Sequence, residues 1–243
     1  MEYVFDILRR EAGGGAPYHQ RIRFETEDSN ETVATALTQI NNSAGYLDEE
    51  GKSVSYIKWE AGCLQKRCGA CAMVINGTPA LACDSFLKDL ASGKRTKSGA
   101  GCSVITLEPL SKFPVIADLL VDRRILQDNL KTLKVWSGES GEVKEKDLDR
   151  AYDAALCLQC GCCLEACPNF YPGGKFFSAA GFAPQARLIS SLTKEEREDI
   201  RKIYSEHIYE GCGKSLACAK VCPAGLDLDR LLSRSNAIEI WKR

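Results

Sequence analysis

The feature that most limits how this chain can fold is a run of cysteines just past the middle of the sequence, Cys157-Leu158-Gln159-Cys160-Gly161-Cys162-Cys163-Leu164-Glu165-Ala166-Cys167-Pro168. Its spacing is C-x2-C-x2-C-x3-C-P, in which three close thiolates hold one iron–sulfur cluster and the fourth reaches another cluster. This spacing therefore requires a second group of cysteines elsewhere in the chain. The second group is present as Cys212, Cys218 and Cys222, the last followed by Pro223.

The second group departs from the first at one position, because a repeat of the run would place cysteine where the sequence has Ser215. In the crossed arrangement of two-cluster ferredoxins, the complete 4Fe-4S cluster has four predicted ligands: Cys157, Cys160, Cys163 and Cys222. The other centre keeps three: Cys167, Cys212 and Cys218. A serine hydroxyl is a hard ligand that seldom replaces thiolate, so we predict a 3Fe-4S cluster there, with Ser215 as a non-ligand position. Serine as an actual fourth ligand is the alternative.

A third cysteine motif lies in the N-terminal half. Its C-x4-C-x2-C spacing matches the plant-type 2Fe-2S loop at three residues: Cys63, Cys68 and Cys71. Asn76-Gly77 is a favoured type I′ turn, so the strand from Ala72 to Ile75 can fold back and deliver Cys83 as the fourth ligand. A structural zinc site is the alternative, although zinc sites usually pair two C-x2-C knuckles.

The elements around these motifs predict an α+β fold. Residues 3–8 and 20–24 alternate as a strand hairpin, residues 29–32 can cap a helix, and Val104 to Leu107 offers a closing strand. We predict an N-terminal β-grasp plant-type ferredoxin domain over 1–110 and an interdomain connection over 111–146, with Trp136 as its buried anchor. A C-terminal all-α bacterial-ferredoxin-like domain follows over 147–243, with helices near 146–155, 184–192, 195–209 and 228–240.

Composition narrows the class of protein. Thirteen cysteines without a secretory leader are better explained as metal ligands than as disulfides, and we expect a cytoplasmic protein. A net charge of −1 without a basic block argues against nucleic-acid binding. The longest apolar patch, residues 113–121, is far shorter than the roughly 20 residues needed to cross a bilayer, so membrane association would require a partner.

Several residues fall outside the three motifs. Cys102 is predicted to be a small buried thiol, and Cys162 is expected to point away from the four-iron cluster. His19 and His207 have no partner motifs, so structural or exposed roles are expected.

Together, the three motifs in this order resemble the iron–sulfur subunit of succinate dehydrogenases and fumarate reductases, respiratory complex II. The resemblance also covers the segment from Pro109 to Asp122, which is similar to the family's interdomain stretch. It implies that the clusters relay electrons between two partner subunits. One is an FAD-containing flavoprotein, where succinate and fumarate interconvert, and the other is an integral membrane anchor that binds quinone. This chain would then bind no dicarboxylate itself.

Some positions differ from ubiquinone-linked relatives. Those relatives commonly have tryptophan and histidine where this sequence has Phe170, Tyr171 and Gly213, and Ala224 replaces a frequent lysine. Two stretches, Cys212-Gly213-Lys214-Ser215 and Leu164-Glu165-Ala166-Cys167-Pro168-Asn169, are more similar to menaquinone-linked bacterial enzymes with a di-haem b anchor. This similarity slightly favours menaquinol-linked fumarate reduction at the cytoplasmic face of the bacterial inner membrane, although the direction of turnover is set jointly with the other subunits.

Other classes of protein share parts of the pattern. Molybdenum hydroxylase small subunits have a similar two-iron loop but lack the C-x2-C-x2-C-x3-C-P run. A soluble multi-cluster ferredoxin, or the iron–sulfur subunit of another flavin oxidoreductase, remains an alternative that co-purifying partners would decide. An iron-free zinc protein is the non-redox alternative.

Overall fold

The computed structural model describes residues 1–92, 104–136, 145–189, 192 and 194–241. The chain divides into two compact units, Met1–Asp122 and Arg123–Arg243. The division falls within the stretch predicted to connect two domains. Among the described residues, no helix is both long enough and apolar enough to span a membrane.

The first unit is built on a five-stranded mixed sheet. Its strands are β1 (Glu2–Arg9), β2 (Tyr18–Glu25), β3 (Ala72–Ile75), β4 (Thr78–Leu81) and β5 (Val104–Glu108), in the order β2-β1-β5-β3-β4. β1 pairs antiparallel with β2 and parallel with β5. The predicted hairpin and closing strand are confirmed, and the alternating apolar residues of β1 explain why one face of this strand is buried.

Helix α1 (Val33–Asn42) follows the first hairpin and begins where the sequence predicts. The Thr32 hydroxyl accepts the Thr35 backbone N–H at 3.2 Å, and the Thr35 hydroxyl accepts the Thr32 N–H at 2.9 Å. This reciprocal capping satisfies two N–H groups that a helix start otherwise leaves without partners. The buried face of α1 consists of Val33, Ala34, Ala36, Leu37 and Ile40.

The stretch from 111 to 122 forms ordered structure within the first unit. Strands β6 (Val115–Ala117) and β7 (Leu120–Val121) make a hairpin whose turn residue Asp118 has a φ of 44°. Asp118 is buried and accepts a hydrogen bond from Arg9 Nε at 2.9 Å. It also accepts the backbone N–H of Arg10 at 3.0 Å and of Lys58 at 2.9 Å. The sequence pattern missed this hairpin because its stability depends on a charge pair between residues far apart in the chain.

The second unit is helical. Its α-helices are α3 (Arg124–Thr132), α4 (Glu145–Ala155), α5 (Cys162–Ala166), α6 (Ser178–Leu188), α7 (Lys194–Tyr204), α8 (Ala217–Lys220) and α9 (Leu228–Asn236). α2 (Leu87–Ala91) belongs to the first unit. One π-helical turn, Ser205–Tyr209, follows α7, and another, Ala237–Trp241, follows α9. α6 packs against α4 and α9 at the centre of the apolar core. The predicted fold class, an α+β fold in which a sheet domain is followed by a helical domain, is confirmed.

Two details of this unit differ from the sequence prediction. The helix expected at 184–192 spans Ser178–Leu188 and contains Pro184 in its interior. It begins six residues earlier than predicted, and Gly181 allows close packing within it: a Cβ there would lie 2.9 Å from Leu133 Cδ1. Trp136, predicted to be a buried anchor, is 59% exposed, since Leu133 and Val135 make the buried contacts there.

Candidate functional site

The loop from Cys63 to Cys71 surrounds its sulfurs with backbone N–H groups. The Cys63 Sγ atom accepts hydrogen bonds from the N–H groups of Gln65 and Arg67, both at 3.3 Å. Lys66 N donates to Cys83 Sγ at 3.3 Å, which links the loop to the cysteine that follows the hairpin. Two further bonds join cysteines to one another: Cys63 N to Cys68 Sγ at 3.3 Å, and Cys83 N to Cys71 Sγ at 3.5 Å. The structure thus brings together all four sulfurs that the sequence assigned to the two-iron site.

Local backbone geometry produces this loop. Leu64 and Lys66 have φ angles of 54° and 57°, and Gly69 has a φ of 77°, so the chain curls repeatedly around the sulfurs. Gly62 allows the closest approach, because a Cβ there would lie 2.9 Å from Cys68 Sγ.

The type I′ hairpin between β3 and β4 delivers the last cysteine. Asn76 and Gly77 have φ angles of 48° and 71°, as the predicted turn requires. A short 3-10 turn, Ala82–Asp84, then follows β4, and Ala82 N donates to Cys71 O at 3.0 Å. Asp84 forms an ion pair with Lys66 Nζ at 2.9 Å, which ties the turn to the loop.

The electrostatics of the loop favour thiolate at its exposed side. Hydrogen bonds from the N–H groups of Gln65 and Arg67 lower the pKa of the Cys63 thiol to about 7. Burial raises the pKa of the Cys71 thiol to about 12. Because metals bind the thiolate form, the N–H groups directed at Cys63 prepare that sulfur for a ligand role.

In the second unit, the cysteines line two cavities. The first is lined by four cysteines, Cys157, Cys160, Cys163 and Cys222. Its remaining walls are largely apolar and include Ala179, Ala183 and Leu228. Burial raises the pKa values of the Cys157 and Cys163 thiols. Gly161, with a φ of 88°, turns the chain between these ligand candidates and precedes α5.

The second cavity is lined by three cysteines, Cys167, Cys212 and Cys218. Ser215 lines the same cavity, and burial raises the pKa of Cys218 to about 11. The last cysteine of the middle run therefore faces the cavity of the C-terminal group. Conversely, Cys222 faces the cavity of the middle run, so the two segments exchange one cysteine each.

Side chains outside the cavities join the segments that carry the cysteines. Asn169 Nδ2 donates to Gly211 O at 2.8 Å, which links the end of the middle run to the residue before Cys212. His207 stacks on Phe177 with ring centroids 4.4 Å apart and planes 7° apart. The sequence prediction of a structural role fits this contact of His207.

Cys162 is fully buried and is not among the residues lining either cavity. The interaction between the Cys162 and Cys160 side chains lowers the pKa of Cys160 and raises that of Cys162. His19 is exposed and lies 2.7 Å from Asp6 Oδ1. Cys102 lies outside the described residues. Among the side chains that the structure describes, no three histidine, cysteine, aspartate or glutamate residues are placed to hold a single metal ion.

Comparison with known proteins agrees with these motifs. A family model for a 2Fe-2S iron–sulfur cluster binding domain matches residues 4–128, and a model for a 4Fe-4S dicluster domain matches residues 153–226. The succinate dehydrogenase iron–sulfur subunit of Bacillus subtilis is 31% identical over 245 residues, covering 96% of this chain and 90% of that protein. This chain belongs to the family of succinate dehydrogenase and fumarate reductase iron–sulfur subunits.

Other relatives of this iron–sulfur subunit include both named enzymes. The fumarate reductase iron–sulfur subunit of Wolinella succinogenes is 32% identical over 176 residues, covering 66% of this chain and 68% of that protein. A chain of the Mycobacterium smegmatis Sdh1 complex in the apo form has the same fold, with a TM-score of 0.74 at 17% identity. The match covers 99% of this chain and 98% of that one. The resemblance inferred from cysteine spacing is confirmed.

Sequence reasoning about this iron–sulfur subunit missed the residues that act beside the cysteines. Gln159 lines the first cavity, and its Nε2 atom donates to Cys157 Sγ at 3.2 Å. Neither Gln159 nor Asn169 belongs to a spacing pattern. The only sequence signal for these two residues is their position: Gln159 lies inside the cysteine run, and Asn169 directly follows it. Gly62 had a clearer signal, because a glycine directly before the first cysteine of a metal loop suggests close backbone approach.

Proposed function

We propose that this chain is the electron-transferring subunit of a membrane-bound succinate:quinone oxidoreductase or quinol:fumarate reductase. The observation that carries the proposal is the exchange of Cys167 and Cys222 between the two cysteine-lined cavities. A crossed arrangement of this kind is typical of proteins that hold two neighbouring clusters. Family membership and the separate two-iron loop support the same function.

The chemistry of the donor sets supports three iron–sulfur clusters. We assign a 2Fe-2S cluster to the sulfurs of Cys63, Cys68, Cys71 and Cys83, and a 4Fe-4S cluster to those of Cys157, Cys160, Cys163 and Cys222. Thiolate is the soft ligand that such iron centres prefer. The first set of cysteines accepts hydrogen bonds from backbone N–H groups of its loop, and the second set lines a largely apolar cavity. When bound, the clusters would act as one-electron carriers. The protein would hold them in place, and its N–H groups donate hydrogen bonds to cysteine sulfurs.

The remaining cavity offers three thiols, Cys167, Cys212 and Cys218, which we assign to a 3Fe-4S cluster. The fourth position is occupied by Ser215, whose Oγ atom accepts the Ala217 N–H at 3.5 Å. A hydroxyl is a poor replacement for thiolate on a soft iron–sulfur centre, so Ser215 is assigned no ligand role.

The partners follow from the family. We infer an FAD-containing flavoprotein subunit at which succinate and fumarate interconvert, and an integral membrane anchor with a quinone site. The stretches Cys212–Ser215 and Leu164–Asn169, which are more similar to menaquinone-linked bacterial enzymes, favour menaquinone and a di-haem b anchor, with a slight preference for fumarate reduction. In this arrangement the chain is peripheral, held by the anchor at the cytoplasmic face of the bacterial inner membrane.

Purification of the complex from native membranes tests this function. We expect co-purification with a flavoprotein and a membrane anchor, bound quinone, and both succinate oxidation and fumarate reduction in the same preparation. The ratio of the two rates, measured with naphthoquinone and benzoquinone acceptors and donors, determines the direction and the quinone preference. A chain recovered alone from the soluble fraction, or containing zinc rather than iron, would refute the proposal.

A further inference from the structure

The amide of Gln159 bridges a cysteine and a helix carbonyl. Its Nε2 atom lies 3.2 Å from Cys157 Sγ and 3.0 Å from Ala180 O. An amide nitrogen has two hydrogens, so it can donate to both acceptors at once. Because the Ala180 carbonyl only accepts, it orients the amide with its NH2 group, and not its oxygen, toward the sulfur.

The Ala180 carbonyl is open to Gln159 because of a proline. In an α-helix the carbonyl of residue 180 accepts the N–H of residue 184, but Pro184 has no N–H to donate. The side-chain amide of Gln159 therefore supplies the hydrogen bond that helix α6 lacks at this position. This second contact holds the donor against the sulfur in one orientation.

The backbone of Gln159 is also unusual. Its φ is 51°, in the left-handed region that few residues other than glycine adopt. A glycine here would avoid that strain but would provide no donor. The chain instead retains a strained residue whose side chain reaches Cys157.

We propose that Gln159 is a positioning residue that raises the reduction potential of the four-iron cluster by donating to Cys157 Sγ. The inference rests on the proposed function, because it takes Cys157 as a ligand of that cluster. Reduction adds negative charge to the cluster and its sulfurs, so a hydrogen-bond donor stabilises the reduced form more than the oxidised form. Gln159 thus makes the middle centre of the relay easier to reduce.

The decisive variant is Gln159→Met, which has a side chain of similar length but no donor. The matched control is Gln185→Met. Gln185 is another buried glutamine whose Nε2 donates to a backbone carbonyl, that of Leu133 at 3.5 Å, and it lines neither cavity. Both substitutions remove one amide-to-carbonyl hydrogen bond, but only the first removes a donor to sulfur.

Each variant is purified as the whole membrane complex and titrated against potential, with the clusters followed by electron paramagnetic resonance. At the potential where the wild-type four-iron cluster is half reduced, the ratio of reduced to oxidised cluster in Gln159→Met should fall about three- to tenfold, as for the loss of one hydrogen bond. Tenfold corresponds to ~59 mV for one electron. Gln185→Met should leave this ratio unchanged, and the two-iron cluster should titrate normally in both variants.

An unchanged four-iron potential in Gln159→Met would overturn the inference, as would an equal shift in Gln185→Met. If Gln159→Met does not retain its clusters, Gln159→Gly takes its place: glycine adopts the left-handed backbone freely and also lacks the donor, so the same shift is required. A wild-type complex without any four-iron cluster would instead refute the proposed function, before any variant is compared.

Discussion

The two units of this protein hold their cysteines in different ways. In the first unit, sulfurs of a short loop accept backbone N–H groups at 3.3 to 3.5 Å, and Cys63 and Cys68 are exposed. In the second unit, sulfurs from two distant segments line cavities among packed helices, and Cys160 and Cys167 are buried. One site is made by a local backbone conformation and the other by tertiary packing.

This difference predicts different sensitivities. Backbone N–H donors are present whatever the side chain, so the first site should tolerate side-chain substitution as long as its φ angles are kept. The second site depends on which segments meet and on a side-chain donor, so single substitutions there should have larger effects.

The largest effect is expected for Cys222→Ala. It removes the cysteine that the C-terminal segment contributes to the first cavity. Activity should fall by more than the ~10- to 100-fold typical of losing a residue that only hydrogen-bonds to a ligand. Iron content and electron paramagnetic resonance should show loss of the four-iron cluster and retention of the two-iron cluster. Cys162→Ala removes a buried thiol that lines neither cavity and should keep all clusters. Loss of the two-iron signal in Cys222→Ala would contradict the assignment of Cys222 to the four-iron cluster alone.

The second-largest effect is expected for Ser215→Cys. It supplies the missing thiol of the second cavity, so the three-iron signal of the oxidised wild-type protein should decrease or disappear as a four-iron cluster forms. Ser215→Ala, which adds no ligand, should keep the three-iron signal. Two four-iron clusters in the wild-type protein would show that Ser215, or another group, acts as a ligand.

Asp118→Asn tests the first unit away from its cysteines. Asparagine also tolerates the positive φ of this turn, but its Nδ2 cannot accept the N–H groups that each Asp118 oxygen accepts, so the change removes both the charge that pairs with buried Arg9 and one acceptor. The free energy of unfolding should fall by about 3 kcal/mol, measured by urea denaturation followed at the two-iron absorbance. Arg23→Gln breaks exposed ion pairs to Glu2 and Glu49 and should cost about 1 kcal/mol or less. Equal losses of unfolding free energy in the two variants would mean that the buried ion pair stabilises the unit no more than the exposed ones.

Lys66→Ala should have the smallest effect. It breaks the surface ion pair with Asp84 but keeps the backbone N–H that Lys66 donates to Cys83, so stability should change by about 1 kcal/mol or less. The potential of the two-iron cluster, measured by the same titration, should stay near its wild-type value. A shift as large as that expected for Gln159→Met would show that side chains, not the backbone, dominate the first site.

Local features were predictable from the sequence because they depend on residues close together in the chain. Thr32 caps α1, and Asn76-Gly77 turns the hairpin, as their local chemistry requires. The hairpin around Asp118 could not be predicted in the same way. Its turn is held by a hydrogen bond from Arg9, which lies near the other end of the first unit's sequence. Trp136 was assigned to the interior by its type alone, although Leu133 and Val135 occupy the buried positions.

By itself, the sequence determined the cysteine spacings, the two-iron loop, the order of the two domains and the family. These follow from short-range geometry, because a thiolate a few residues from another has few ways to be placed. Only the tertiary structure decided what surrounds the sulfurs. It placed the Gln159 amide between Cys157 and a carbonyl that Pro184 leaves open, through helix packing that no local pattern encodes.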